Sequence, residues 1–308
     1  MDLDLINNVL QAAVRTGTPL LLVALGESVA EKSGVLNLGQ EGMLLVGAVT
    51  GFIVTLLSGS LFLGFVSAIL AGVLMSMIFA LIAVKLNANQ YATGLALTIF
   101  GTGLSAFIGA DFVGKPVTGL DPIAIPLLSK IPVIGGALFR QDLIVYLSFF
   151  LTAALYWFFR SSRGGLMVKA IGESPESANS IGLPVLPVRF LAVAFGGAMA
   201  GLAGGYLSLA YTPLWAENMS AGRGWIALAL VVFASWRIER VMLGAYLFGL
   251  ASILHLVAQG LGFAVPPNLM AMLPYVATIV VLVLLSSDPT RNRLNAPMSL
   301  GQPFFKTS

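Results

Sequence analysis

The chain has 308 residues, of which 58% are hydrophobic and 9% are charged, and its mean hydropathy is +0.95. A soluble domain carries about 25% charged residues, so this composition excludes a soluble globular protein and predicts an integral membrane protein. The formal net charge of +3 is small and comes from scattered residues, which argues against nucleic acid as a partner.

Apolar stretches bounded by charges or by Gly, Pro and Asn predict about nine membrane passages, because about 20 helical residues cross the hydrocarbon core. They are about Leu10–Val29, Met43–Leu57, Leu61–Val84, Tyr91–Gly109, Leu143–Phe159, Phe190–Tyr211, Trp225–Trp236, Met242–Leu261 and Leu269–Leu285. The seventh is short enough for a half-helix or a re-entrant segment, and Pro19 predicts an irregular outer half of the first. We therefore expect an all-α polytopic membrane protein in which residues 1–308 form a single transmembrane domain.

The predicted loops differ in positive charge. An odd number of passages places the two termini on opposite sides of the membrane. Most of the 16 Lys and Arg residues fall in one set of loops, and the positive-inside rule places that set in the cytoplasm. This predicts an external N-terminus and a cytoplasmic C-terminus. Residues 110–142 then form an irregular, proline-rich external loop, and residues 161–188 form the longest cytoplasmic loop.

Polar side chains beside or within apolar spans are costly, so they are candidates for the path of a solute. Glu27 and Glu31 lie at the inner end of the first passage, and the Gly-rich stretch 34–42 follows. This stretch is apolar enough to enter the membrane, which predicts a broken helix lining a pathway. Alternatively, Glu41 is only a helix-terminal charge in cytoplasmic water. The candidate path residues are Asn37, Gln40, Glu41, Asn89, Gln90 and Thr93.

Two further patterns concern helix starts and helix packing. The amides and the hydroxyl at the start of the fourth passage suit an uncharged polar ligand, although helix capping explains them equally well. The Gly-Arg-Gly sequence at 222–224 predicts a helix start that offers free N–H groups. Gly197, Gly201 and Gly205 recur every four residues, which predicts close helix packing or, alternatively, a sliding surface.

No group of residues predicts catalysis. The sequence contains no cysteine, and the lone His255 has no second ligand near it in the sequence, so we expect no metal site. Residues 109–115 resemble the start of a nucleotide-binding loop, but Pro116 stands where a Ser or Thr must bind magnesium. We expect no enzyme activity and no cofactor, which leaves transport or the anchoring of partners as the task.

The segment 163–184 is the most specific part of the sequence. It predicts two short amphipathic pieces, residues 165–171 and 176–181, separated by a turn. Ser174 is expected to cap the second piece, Pro175 to occupy its first turn and Gly182 to end it. A short helix lying along the cytoplasmic surface suits docking into a groove of another protein.

This segment resembles the ATPase-coupling loop in permease subunits of ABC importers for branched-chain amino acids, ribose and related solutes. Their pattern Gly-Glu/Asn-x-x-x-Ala-Ala-x-x-x-Gly-Ile corresponds here to residues 172–183, with Leu183 in place of the final Ile. Residues 34–43 and 219–229 are similar to the branch of this family that serves nucleosides and some simple sugars. The residues that the resemblance implies for ATPase coupling are Arg163, Lys169, Gly172, Glu173, Ser174, Ser177, Ala178 and Gly182.

The resemblance also implies partners and a cargo. A permease of this kind sits in a bacterial-type plasma membrane with ABC ATPase subunits, a second homologous permease that makes a heterodimer, and an extracellular or periplasmic solute-binding protein. ATP hydrolysis belongs to the ATPase subunits, and the cargo we expect is a nucleoside. The alternatives are a simple sugar, a branched-chain amino acid, or an ion-coupled secondary transporter, which would need acidic residues at mid-membrane.

Overall fold

In a computed structural model of the chain, the described residues are 3–126, 128–131, 134–260, 272, 276 and 296–305. The helices in these residues are α1 (Leu3–Lys32), α2 (Gln40–Ser58), α3 (Leu61–Phe79), α4 (Gln90–Gly109), α5 (Ile134–Phe139), α6 (Leu143–Ser161), α7 (Arg163–Glu173), α8 (Pro175–Ser180), α9 (Val185–Tyr206), α10 (Arg223–Phe233) and α11 (Ile238–Gly260). Two short antiparallel strands, β1 (Ile123–Ala124) and β2 (Arg140–Gln141), pair in the 110–142 connection. The predicted passage Leu269–Leu285 lies outside the described residues.

Six helical segments of the described chain are long and apolar enough to cross a membrane. They are Leu5–Lys32, Gln40–Ser58, Leu61–Lys85, Gln90–Phe112, Leu143–Ser161 and Val185–Tyr211. The all-α polytopic fold is thereby confirmed. The seventh predicted passage is the 11-residue helix α10, whose length of about 16 Å is half of a hydrocarbon core of about 30 Å. The prediction of a half-helix there is confirmed.

Helix α1 is continuous, so the irregular outer half predicted from Pro19 is wrong. Proline has no N–H, which leaves the carbonyl of Arg15, four residues earlier, without its helical donor. The hydroxyl of Tyr206 on α9 lies 3.5 Å from that carbonyl oxygen. The same hydroxyl lies 3.2 Å from the carboxylate of Asp142, so its single proton is shared between the two oxygens. A polar group of a neighbouring helix is thus close to the freed carbonyl, an arrangement that lets proline be tolerated inside membrane helices.

The first and last described residues lie at opposite ends of the helix bundle. Near its start, Gln11 donates to the carbonyl of Arg140 in β2, at 2.7 Å. At the other end, the backbone N–H of Ser299 donates to the carbonyl of Gly172 in α7, at 3.0 Å. The helices α7 and α8 and the C-terminal residues therefore share one end of the bundle.

Glycines let the central helices α2, α3 and α9 approach closely. A Cβ placed on Gly197 would lie 2.4 Å from the carbonyl oxygen of Gly72, and one on Gly201 would lie 2.2 Å from that of Ala68, both on α3. At Gly205 the space is less tight, with the Cβ of Ala68 at 3.0 Å. On the opposite face of α9, a Cβ on Gly204 would meet the carbonyl oxygen of Leu44 in α2 at 2.0 Å. Helix α9 is thus packed between two neighbours at near-backbone distance.

We expect Gly201→Ala to destabilise the protein by about 1–3 kcal/mol, because the new methyl group must push α3 away from α9. Gly103→Ala is the matched control, since a Cβ there has no neighbour within 4 Å. The measurement is the unfolding temperature of the purified protein in detergent. Equal unfolding temperatures for the two variants would contradict the packing argument.

Candidate functional site

Two helices of the bundle, α2 and α10, begin within the bundle rather than at its end. Residues 33–39 leave the end of α1 and return into the bundle before α2 begins at Gln40. A Cβ on Gly101 would lie 2.6 Å from the Cα of Gly42, so the start of α2 lies level with Gly101. Residue 101 comes eleven positions after Gln90, the first residue of α4, which is a depth of about 16 Å. Helix α2 therefore starts deep inside the bundle, about three turns beyond the start of α4.

Glu27 of α1 holds the re-entrant stretch in place. One carboxylate oxygen accepts the backbone N–H of Asn37 at 3.0 Å, and the other accepts the side-chain amide of Gln40 at 2.5 Å. The Asn37 side chain in turn accepts the backbone N–H of Gly39 at 2.9 Å. All three side chains are fully buried. Backbone groups that no helix satisfies at this depth thus find protein partners, which the membrane interior requires.

Glu41, in the first turn of α2, binds the beginning of α10. Its carboxylate accepts the hydroxyl of Ser220 at 2.5 Å and the backbone N–H groups of Gly222 and Gly224 at 2.9 and 2.6 Å. Only 5% of Glu41 is exposed, so the interpretation that it lies in cytoplasmic water is wrong. The predicted free N–H groups at 222–224 are also not free at these two glycines. A carboxylate at a helix N-terminus is favoured by both hydrogen bonds and the macrodipole.

The glycine at position 224 is required by this contact. A Cβ there would lie 2.6 Å from both the backbone N and the Cα of Glu41, so any larger residue would separate α2 from α10. Gly222 has a φ of +79°, which a glycine adopts without strain. The sequence of the 222–224 turn is therefore fitted to the approach of one carboxylate.

Glu31 binds the other end of α10. Its carboxylate accepts the indole N–H of Trp236, just after α10 ends. The backbone there turns sharply, since Ser235 and Trp236 have φ values of +51° and +55°. Three glutamates thus fix the start of α2 and both ends of α10. We call this cluster the polar junction; its members are Glu27, Glu31, Asn37, Gln40, Glu41, Ser220, Gly222, Gly224 and Trp236.

The other three candidate path residues lie at the start of α4. Asn89 caps this helix by accepting the N–H of Ala92 at 3.0 Å, and the hydroxyl of Thr93 donates to the carbonyl of Asn89 at 2.8 Å. Gln90 is buried and accepts the N–H of Leu36 in the re-entrant stretch at 2.8 Å. Capping therefore accounts for Asn89 and Thr93. Gln90 joins α4 to the stretch that leads into the polar junction.

The predicted coupling segment forms α7 and α8 at the end of the bundle that carries the C-terminal residues. The expected second helix is confirmed: the Ser174 hydroxyl accepts the N–H of Ser177 at 3.2 Å, Pro175 stands in the first turn, and Gly182 has a φ of +84°. Among the candidate coupling residues, four are exposed and four face the bundle. The exposed ones are Arg163, Glu173, Ser177 and Gly182.

The inward-facing coupling candidates make structural contacts. Lys169 donates to the carbonyl of Phe159 at the end of α6, at 2.7 Å. A Cβ on Gly172 would lie 2.2 Å from the carbonyl oxygen of Lys32, so α7 packs directly on the end of α1. Ala178 is buried, and Ser174 caps α8. Lys169, Gly172 and Ala178 thus hold the segment on the bundle, Ser174 shapes α8 itself, and the exposed four form its free surface.

The sequence matches a known family along most of its length. Residues 9–282 match the family described as branched-chain amino acid transport system, permease component. The chain belongs to this permease family. It is a membrane-embedded subunit of an ABC importer, a class that agrees with its membrane helices and its two surface helices α7 and α8.

Known relatives extend over nearly the whole chain. TsgC13 of Haloferax volcanii, named "Putative glucose ABC transporter permease protein", is 41% identical, with 96% of each chain covered. The guanosine ABC transporter permease protein NupQ of Bacillus subtilis is 31% identical, with 99% of each chain covered. The nucleoside ABC transporter permease protein NupC of Lactococcus lactis is 30% identical, over 87% of this chain and 88% of its own.

Sequence analysis missed the partners of the candidate residues. Ser220 stands in the 219–229 stretch that resembles one branch of the family, but nothing in that stretch indicates its partner. Trp236 carries no signal beyond its place at the end of an apolar stretch, and Glu27 and Glu31 stand out only by their position at the end of a span. Their partners lie far along the chain: Glu41 and Ser220 are 179 residues apart. No local pattern in one sequence encodes such a pairing.

We expect Glu41→Gln to destabilise the protein by about 1–3 kcal/mol, because one carboxylate oxygen is replaced by an NH₂ group that faces a buried N–H donor. The measurement is again the unfolding temperature in detergent. Glu217→Gln is the matched control, since Glu217 is an exposed carboxylate in the same loop. If both variants unfold at the same temperature, Glu41 does not hold the start of α10.

Proposed function

We propose that this chain is the subunit through which an ABC importer moves a neutral, hydroxyl-rich solute, with a nucleoside as the first candidate. The relatives NupQ and NupC, named for guanosine and nucleosides, carry this proposal. A simple sugar is the second candidate, because TsgC13 is 41% identical and is named for glucose. A nucleoside and a sugar share a ring with several hydroxyl groups, which amide side chains recognise by donating and accepting hydrogen bonds.

We place the solute path beside the polar junction, where the candidates Asn37, Gln40 and Glu41 come together. Hydrogen bonds within the protein engage both carboxylate oxygens of Glu41 and both of Glu27. Among the described residues, the buried side-chain oxygen of Gln40 has no hydrogen-bond partner. This amide oxygen is therefore our candidate for a contact with a solute hydroxyl. Asn89, Gln90 and Thr93 remain candidates for the cytoplasmic mouth of the path.

The energy source in this proposal is a pair of ABC ATPase subunits that dock on residues 161–188 from the cytoplasm. The exposed residues Arg163, Glu173, Ser177 and Gly182 form the docking surface. A second, homologous permease completes the pathway, and a solute-binding protein delivers cargo to the outer side, beside residues 110–142. This arrangement requires an external N-terminus and a cytoplasmic C-terminus in a bacterial-type plasma membrane.

The cargo is tested by uptake into cells that express the chain with its partner subunits. If the cargo is a nucleoside, we expect unlabelled nucleosides to compete with labelled guanosine. If it is a sugar, we expect unlabelled sugar to compete with labelled glucose. Leucine should compete in neither case. The solute that is taken up with the higher affinity, guanosine or glucose, decides between the two candidates. Inactivating the ATPase subunit should abolish uptake. Uptake that persists without ATP hydrolysis and collapses with the proton gradient would favour an ion-coupled transporter instead.

The docking surface is tested by Ser177→Trp, which adds a bulky group to an exposed position of α8. We expect the ATPase subunit to stop co-purifying with the permease, because the indole blocks the groove that α8 enters. The control is Ser58→Trp, the same change at an exposed position at the end of α2. Co-purification that is unchanged in both variants would contradict the docking assignment.

A further inference from the structure

The C-terminal residues 296–305, which we call the strap, lie across the end of the bundle that carries α7 and α8. The Ser299 hydroxyl donates to the carbonyl oxygen of Gly172 in α7 at 2.7 Å, and the Ser299 backbone N–H donates to the same oxygen at 3.0 Å. Two residues later, the N–H of Gly301 donates to the carbonyl of Gly34 at 3.1 Å. The strap therefore joins α7 directly to the beginning of the re-entrant stretch.

A buried arginine on α9 binds both the strap and the beginning of the re-entrant stretch. Arg189 is 1% exposed and donates to three oxygens: the carbonyl of Ser33 at 3.1 Å, the hydroxyl of Ser299 at 3.2 Å and the carbonyl of Gln302 at 3.4 Å. Its guanidinium also lies 6.0 Å from the ring centre of Phe304. All of these partners are neutral. Burying a charge on neutral acceptors is costly, and here the guanidinium fork fixes the strap and the re-entrant stretch relative to each other.

Apolar packing attaches the strap to α8 as well. The ring of Phe304 is buried in a small cluster with Ile171 of α7, Ala178 of α8 and Val185 of α9. The strap is thus held to both coupling helices, by hydrogen bonds at Ser299 and by burial at Phe304. Displacing α7 and α8 would break these contacts unless the strap moved with them.

The re-entrant stretch connects the strap to the polar junction. Only two residues separate Gly34 from Asn37, which is bound by Glu27. Gln90 donates to the carbonyl of Gln302 at 3.4 Å and accepts the N–H of Leu36, so α4 is tied to the same stretch. Gly34 has a φ of +87° and leaves no space for a side chain, since a Cβ would lie 2.4 Å from the Ser299 hydroxyl. The strap and the stretch are therefore in close contact at Gly34.

We infer that Arg189 and the strap transmit movement of the coupling helices to the re-entrant stretch, so that Arg189 is a positioning residue for transport. The inference rests on the proposed docking of an ATPase at α7 and α8. Movement of these helices pulls Ser299 and Phe304, and through Arg189 and Gly301 it pulls residues 33–34. The polar junction then shifts with them.

The test uses the complete transporter reconstituted with its ATPase and solute-binding subunits, and it measures solute moved per ATP hydrolysed. For Arg189→Gln we expect the ATPase subunit to bind and hydrolyse ATP as in the unchanged protein, while transport per ATP falls at least about fivefold. Arg237→Gln, an exposed arginine just after α10, is the matched control and should leave the ratio unchanged.

Ser299→Ala is a milder second variant in case Arg189→Gln does not fold. It removes the side-chain bond to Gly172 and leaves the bonds of Arg189 to Ser33 and Gln302, so we expect a smaller fall in the same ratio. An unchanged ratio in both variants would overturn the inference. Loss of ATPase binding in Arg189→Gln would also overturn the inference, because the strap would then serve only to form the docking surface. Ser177→Trp tests the docking surface itself, so failure of the docking proposal can be distinguished from failure of this inference.

Discussion

The structure depends on satisfying backbone N–H groups in the middle of a membrane. Helices α2 and α10 both begin within the bundle, and their first N–H groups have no partner within the helix. Glu27 binds the stretch before α2, and Glu41 binds the start of α10. Two of the chain's 13 Asp and Glu residues are therefore placed where a broken backbone needs an acceptor. Without these two glutamates, the N–H groups of the stretch before α2 and of the start of α10 would lose their acceptors inside the bundle.

Close packing by glycine makes this arrangement geometrically possible. Gly42 meets Gly101 of α4, Gly224 meets Glu41, and Gly201 and Gly204 bring α9 against α3 and α2. Because these helices approach at backbone distance, short polar side chains can reach across from one to the next. Helix α9 also carries Arg189, which holds the strap. In the inference drawn above, this is the route by which a movement of α7 and α8 reaches the polar junction.

Much of the fold followed from local patterns in the sequence. Apolar stretches located the membrane helices, the shortness of the seventh passage indicated a half-helix, and Ser174, Pro175 and Gly182 marked α8 correctly. The candidate site was only partly predictable. Asn37, Gln40 and Glu41 stood out as polar residues in an apolar, glycine-rich stretch, and the structure brings them together. Asn89 and Thr93 showed the same pattern but cap α4.

Hydropathy, capping residues and the coupling pattern act over a few residues at a time, so they are enough to identify a helical membrane permease. The partner of each polar group follows from how the helices pack. Pro19 does not break α1, because Tyr206 lies near the carbonyl that the proline leaves free, and Glu41 is not a solvated charge, because α10 begins beside it. The partners in these contacts are separated by more than 170 residues, so only the packing of helices brings them within hydrogen-bonding distance.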